Sequence, residues 1–152
     1  MVGKYSEEED SGIGKVTLAK MQLEDAIDLF LAGKRISAIT LAGASDGIFA
    51  GLLEQRGEES VVKKVWRNIV EIREKNLAYA GNRSEKDAFI EWNSSRNRLK
   101  HHGSKEGDTL ILNVFDEAYL SIQRANNDGD KLGVVAKNRQ EYESWLVENI
   151  YM

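Results

Sequence analysis

From Ile36 to Leu53 the chain runs eighteen residues with one charge, Asp46. Wound at about 100° per residue, this stretch sets Leu41, Ile48 and Leu52 on one side, Phe49 and Leu53 on another, and Gly43, Gly47 and Gly51 on a third. A helix that is apolar all round has to be surrounded, by protein or by lipid. Its length reaches the threshold for a membrane span, yet it holds three glycines, two serines and an aspartate between amphipathic segments. The expectation is therefore the central helix of a soluble bundle, with no membrane partner. The glycine stripe predicts close approach of another backbone, inside the fold or across a dimer. Asp46, an acid in an apolar wall, is costly to bury without a cation or several donors, and a tilt toward solvent is its alternative.

The rest of the chain suits such a bundle. It has 152 residues, enough for one domain with a sizeable core, and no proline to interrupt long helices. The expected fold is all-α, an up-and-down bundle of about five to six helices over 16–152, behind a flexible acidic tail over 1–15 that carries Glu7-Glu8-Glu9-Asp10. Gly12-Ile13-Gly14-Lys15 does not make a phosphate-binding loop: Glu9 stands where the first glycine belongs and Val16 where Ser or Thr belongs. Without cysteine there is no disulfide framework and no thiolate metal site, and no leader opens the chain, so the expectation is cytoplasmic. A net charge of −4 disfavours non-specific coating of nucleic acid and leaves room for a local basic patch.

Helix ends follow from capping residues. Thr17 is expected to cap a first helix running to about Ala32, with Leu18, Met21, Ala26, Leu29 and Phe30 inward and Gly33 as its stop. The central helix follows from about Lys34 to Arg56. A third, from Ser60 to about Ala80, carries Val61, Val62, Val65, Trp66, Ile69, Ile72 and Leu77 at helical spacing. A fourth is predicted from Glu85 to about His102, capped by Ser84 or Asn82. Gly103 to Asp108 reads as a polar loop, and Leu110-Ile111-Leu112 as a short extended piece or the onset of a helix. A fifth helix carries Phe115, Ala118, Tyr119, Ile122 and Ala125 and is expected to end at Asn127-Asp128-Gly129; Tyr142, Trp145, Leu146 and Ile150 mark a sixth.

The fourth helix holds the chemistry. Arg96-Asn97-Arg98-Leu99-Lys100-His101-His102 places both histidines of the chain beside three cations. Arg96 falls within an apolar arc of about 80° with Phe89, Trp92 and Leu99, which makes Asp46 its natural partner; a stem that packs while the head reaches water is the alternative. Asn93, Asn97 and His101 recur at every fourth position as a polar stripe. An imidazole moves protons near neutral pH and a guanidinium holds phosphate in two bonds, the two roles that RNA cleavage needs. Arg96 and His101 lie about 140° apart on an ideal helix, so their convergence needs an unwound end or a facing protomer. Adjacent histidines on a helix diverge by about 100° and no third His exists, so neither a metal nor another cofactor is expected.

With Arg96 and Asn97 followed after four residues by His101, and with the phrase Ala38-Ile39-Thr40-Leu41-Ala42-Gly43-Ala44, the chain resembles the HEPN superfamily over about Ile36 to Ala125. Glu117-Ala118 and Arg124-Ala125 resemble the later helix of one bacterial branch. The resemblance implies a homodimer that brings two Arg-and-His motifs into one cleft and, in active members, metal-independent endoribonuclease chemistry leaving a cyclic phosphate, in a toxin or defence setting with an antitoxin as partner. His101 would be acid or base, Arg96 would hold phosphate and Asn97 would orient the site. Arg98, Lys100, His102 and Lys105 would contact RNA, and Asp46 and Asn93 would support. Gly47 stands where related chains often place a second acid. The rival readings are a non-catalytic module that binds a nucleotide, RNA or a protein, and a structural dimerisation domain in which His101 is incidental.

Overall fold

Two glycines at positive φ, Gly33 (79°) and Gly57 (70°), follow the first two helices, Gly33 at the stop expected from sequence and Gly57 just past the expected end at about Arg56. In a computed structural model, which describes residues 12–75 and 81–151, the chain is all-α. The helices are α1 (Lys15–Leu31), α2 (Arg35–Gln55), α3 (Val61–Lys75), α4 (Glu85–Trp92), α5 (Ser94–Lys100), α6 (Val114–Lys131) and α7 (Arg139–Leu146), with a π-helical turn over Val147–Tyr151. The described residues contain no strand, and Leu110-Ile111-Leu112 is irregular connector. Residues 1–11 of the expected acidic tail, and the end of the expected third helix with Leu77, lie outside the described residues.

The helical bundle is organised as expected around α2, which α1 and α6 cover. Leu23, Ile27 and Phe30 of α1, Ile39, Phe49 and Leu53 of α2, Ile122 of α6 and Tyr142 of α7 are all fully buried. Each such side chain contributes on the order of 1.5–3 kcal/mol through the area it removes from water. Ser45 Oγ donates to the Ala19 carbonyl (2.7 Å) and fixes the register of α2 on α1. The α6–α7 connection is tied down by Glu24, which accepts from the Lys137 amide (2.7 Å), and by Asn138, which donates to the Glu24 carbonyl and to Asp28. By length and composition α2 satisfies the requirements of a membrane span, with a mean hydropathy of 1.5; its packing between α1 and α6 is that of a bundle's core helix.

Several expectations are corrected. Gly14, not Thr17, occupies the N-cap of α1, and Met21 is 52% exposed, because the buried face runs through Ala19, Leu23, Ala26, Ile27 and Phe30. The predicted fourth helix is two helices, broken at Asn93 (φ −102°, ψ 1°), and His101 leaves α5 in extended conformation (φ −130°, ψ 149°). That break gives seven α-helices among the described residues, where about five to six were expected. The fifth helix of the sequence reading does not stop at Asn127-Asp128-Gly129; α6 continues to Lys131 and the stop is Gly133 (φ 72°). Those turn-forming residue types serve packing instead: Asn126 and Asp128 are buried, and a Cβ on Gly129 would meet the Val134 carbonyl at 3.0 Å and Phe49 at 3.3 Å. Ser84 does cap α4, accepting from the Asp87 amide at 3.1 Å.

Two glycines in helix interiors therefore predict opposite signs. Gly51 has no heavy atom within 4 Å of a Cβ, so Gly51→Ala is expected to stabilise by about 0.5–1 kcal/mol through helix propensity. Gly129→Ala meets backbone and ring, and is expected to destabilise by about 1 kcal/mol or more. Urea midpoints of the two variants check both.

Candidate functional site

Asp46 sits at the centre of α2 with its side chain 3% exposed, and its Oδ2 meets two guanidiniums. Arg96 Nη1 on α5 lies at 3.4 Å, the pairing expected from sequence. Arg124 Nη2 on α6 is nearer, at 3.0 Å. Arg124 also donates to the Trp92 carbonyl (3.3 Å) and to Asn93 Oδ1 (3.0 Å), so one guanidinium holds Asp46 and the α4–α5 junction together. Asn93 thus supports this network, and the break in the helix lies where Arg124 binds it.

The glycine stripe has a different purpose from the one expected. A Cβ on Gly43 would stand 2.7 Å from Arg96 Cδ and 3.3 Å from Arg96 Cβ, and one on Gly47 would stand 4.0 Å from Arg96 Nη1. What approaches α2 along the glycines is therefore the Arg96 side chain, and its Nη1 donates to the Gly43 carbonyl at 2.7 Å. Burial lowers the Arg96 pKa, Asp46 opposes that shift and Arg124 adds to it.

Asp128, one helical turn beyond Arg124, is fully buried. Its Oδ1 accepts from the Val61 amide at 2.7 Å and caps α3 from another helix, and Lys131 Nζ stands 3.9 Å away. Burial, and after it the negative charge of nearby Asp46, push the Asp128 carboxyl up to about 7, against the pull of the Val61 amide and Lys131. Sequence reasoning did not find Arg124 or Asp128 as site residues. Both share a helical face with Glu117 and Ser121, which reads as a solvated side. Their spacing of four was the available signal, and the turn-like Asn127-Asp128-Gly129 obscured it.

The motif residues separate. Arg96, Asn93, Asp46 and Arg124 line a cavity of about 540 Å³ bounded by α2, α4 and the start of α3, with Phe89, Lys63, Glu54 and Glu58 around its walls. His101 and His102 line a smaller pocket of about 290 Å³ at the end of α5, with Arg98, Lys100, Glu106 and Asp108. Arg96 is not part of that pocket, and the Asn97 side chain is exposed on α5. Lys105 is exposed in the turn closed by the Glu106 amide on the Gly103 carbonyl, outside the pocket lining. The expected stripe of Asn93, Asn97 and His101 is broken at both ends: Asn93 is the junction, and His101 is no longer helical.

Among the described residues no three His, Asp or Glu side chains are grouped to hold a metal ion. The α5 pocket can engage phosphate: Arg98 and Lys100 supply cations at the carbonyl end of a helix, where they also complement its dipole. Its two imidazoles are both exposed and available to move protons. No family model, curated protein or solved structure matches the chain.

The buried network predicts that Asp46→Ala destabilises the fold by about 3–5 kcal/mol, because it strands two guanidiniums, and that Arg124→Ala costs less, because Arg96 still pairs with Asp46. The double variant should lose less than the sum, since the Asp46–Arg124 pair is lost only once and Arg96 alone is then left without its carboxylate. Urea unfolding of the four proteins measures this coupling.

Proposed function

We propose that this chain is a metal-independent endoribonuclease of HEPN type working from the pocket at the end of α5. One observation carries the reading: His101, His102, Arg98 and Lys100 line a single pocket. Cleavage by transesterification needs a base for the ribose 2′-hydroxyl, an acid for the departing 5′-oxygen and fixed cations for the charge that develops on phosphorus. His101 takes the first role and His102 the second, while Arg98 and Lys100 hold the phosphate and Lys105 contacts the RNA beyond the pocket. The products are a 2′,3′-cyclic phosphate and a 5′-hydroxyl. Arg96, held by Gly43 and Asp46, keeps α5 in place instead of touching phosphate. Asn97 is left as an exposed residue for RNA contact. In this reading the chain is a cytoplasmic homodimer whose paired pockets serve one RNA, restrained by a partner protein such as an antitoxin. Exposed Val65 and Ile72 on α3 and Leu120 on α6 are available to such contacts.

A second reading is a non-catalytic module that binds RNA or nucleotide phosphate in the same pocket. Glu106 and Asp108 favour it, since two carboxylates facing the histidines oppose an extended polyanion.

Incubation of total RNA with the purified protein in EDTA, with analysis of fragment ends, tests the proposal. Cyclic phosphate ends are expected from the wild type, with His101→Ala and His102→Ala each reducing the rate by about a hundred- to ten-thousandfold and leaving the helical circular dichroism unchanged. Phosphate-dependent RNA binding without turnover would favour the second reading, and equal cleavage by wild type and both histidine variants would overturn the first.

A further inference from the structure

The larger cavity, about 540 Å³, is of a size that holds a small molecule, and its charges are sorted along its length. Asp46, Arg96 and Arg124 stand at its buried end, two guanidiniums on one carboxylate. Asp128 does not make up the difference, because Lys131 matches it at 3.9 Å. One positive charge is therefore left over. Arg96 bonds through Nη1 alone, to the Gly43 carbonyl and to Asp46; its Nε and Nη2 donate to no group among the described residues. The buried Nε of Arg124 also lacks an acceptor. This end of the cavity is short of an anion.

The other end has the opposite need. Glu54 and Glu58 are exposed and enter no ion pair among the described residues, whereas Glu59 is held by Arg67 at 3.0 Å and Lys63 by Glu85 at 2.8 Å. Between the two ends α2 lines the cavity with only Gly47, Ala50 and Gly51, and Phe89 of α4 belongs to the same lining. A Cβ on Gly51 would meet nothing within 4 Å, so this track is open. Gly47 lies beside Arg96, and Glu54 is seven residues further on, about 10 Å along the helix axis.

We propose that this cavity binds an ω-amino acid, a small zwitterion whose carboxylate and ammonium stand at opposite ends of an unbranched apolar stem. The carboxylate takes the two free N–H groups of Arg96, Nε and Nη2, side-on. The stem lies along Gly47, Ala50 and Gly51 against Phe89, and the ammonium reaches the carboxylates of Glu54 and Glu58. A polyanion such as a phosphate ester is disfavoured, since the unpaired acids at the mouth repel it. The site shares no residue with the pocket at the end of α5, so it stands whether or not that pocket cleaves RNA.

NMR titration of the full chain with ε-aminocaproate tests the site. Saturable shifts are expected at the Gly47 and Gly51 amides and at the Arg96 Nε–H. Caproate, pentylamine and inorganic phosphate, each able to make only one of the two ion pairs, should bind the wild type at least about tenfold more weakly. Gly51→Leu fills the open track without touching the buried network and should abolish the shifts. Glu54→Gln combined with Glu58→Gln, both exposed, should remove the preference for ε-aminocaproate over caproate. No saturable shift up to about 10 mM, equal binding of caproate or phosphate by the wild type, or unchanged binding by either variant would overturn the proposal. The comparison of probes uses the wild type alone, so it does not depend on how the variants fold.

Discussion

A carboxylate in the middle of an apolar helix has to be neutralised before that helix can be buried, and Asp46 sets this condition for the rest of the fold. Isolated burial of such a charge costs several kcal/mol, far more than one additional apolar contact returns. Three elements meet the demand. α6 brings Arg124 to 3.0 Å, α5 brings Arg96 to 3.4 Å, and the α4–α5 junction supplies the Trp92 carbonyl and Asn93 to occupy the rest of the Arg124 guanidinium. The bareness of Gly43 belongs to the same solution, since a side chain there would displace the Arg96 stem.

Much of this was legible in the sequence. The all-α class, the central position of α2, the stop at Gly33 and the pairing of Arg96 with Asp46 follow from periodicity, turn chemistry and the cost of buried charge. What escaped has one physical origin: local residue preferences were overridden by tertiary contacts. Asn127-Asp128-Gly129 has the composition of a turn, yet Gly129 is there to admit Phe49 and Asp128 to cap α3. Arg124 reads as a surface cation because its own helical face is polar, and its partners lie on two other elements. The glycine stripe was read as a place where another backbone approaches, whereas Gly43 admits an arginine stem and Gly51 faces open space, a difference that sequence spacing does not carry.

The candidate site shows why spacing alone underdetermines chemistry. Arg96 and His101, five positions apart, stand about 140° apart if the helix continues, so their convergence was expected to need an unwound end or a facing protomer. The helix does not continue. His101 is extended, so the angular relation lapses and the histidine joins His102, Arg98 and Lys100 in a pocket from which Arg96 is absent. A motif of this form therefore divides into an anchoring half and a solvent-facing half, and its two residues need not touch the same atom.

The division has a mechanical consequence. α5 is seven residues long, too short to persist in water on its own propensity, so its pose depends on what fastens it to the bundle. Leu99 packs against the core at one point, and Arg96 is held at Gly43 and Asp46 at another. The histidine-bearing pocket adjoins these anchors, with Leu99 in its lining. Asp46, which fixes Arg96, also holds Arg124, so the docking of α6 on α2 and the pose of the pocket depend on one carboxylate.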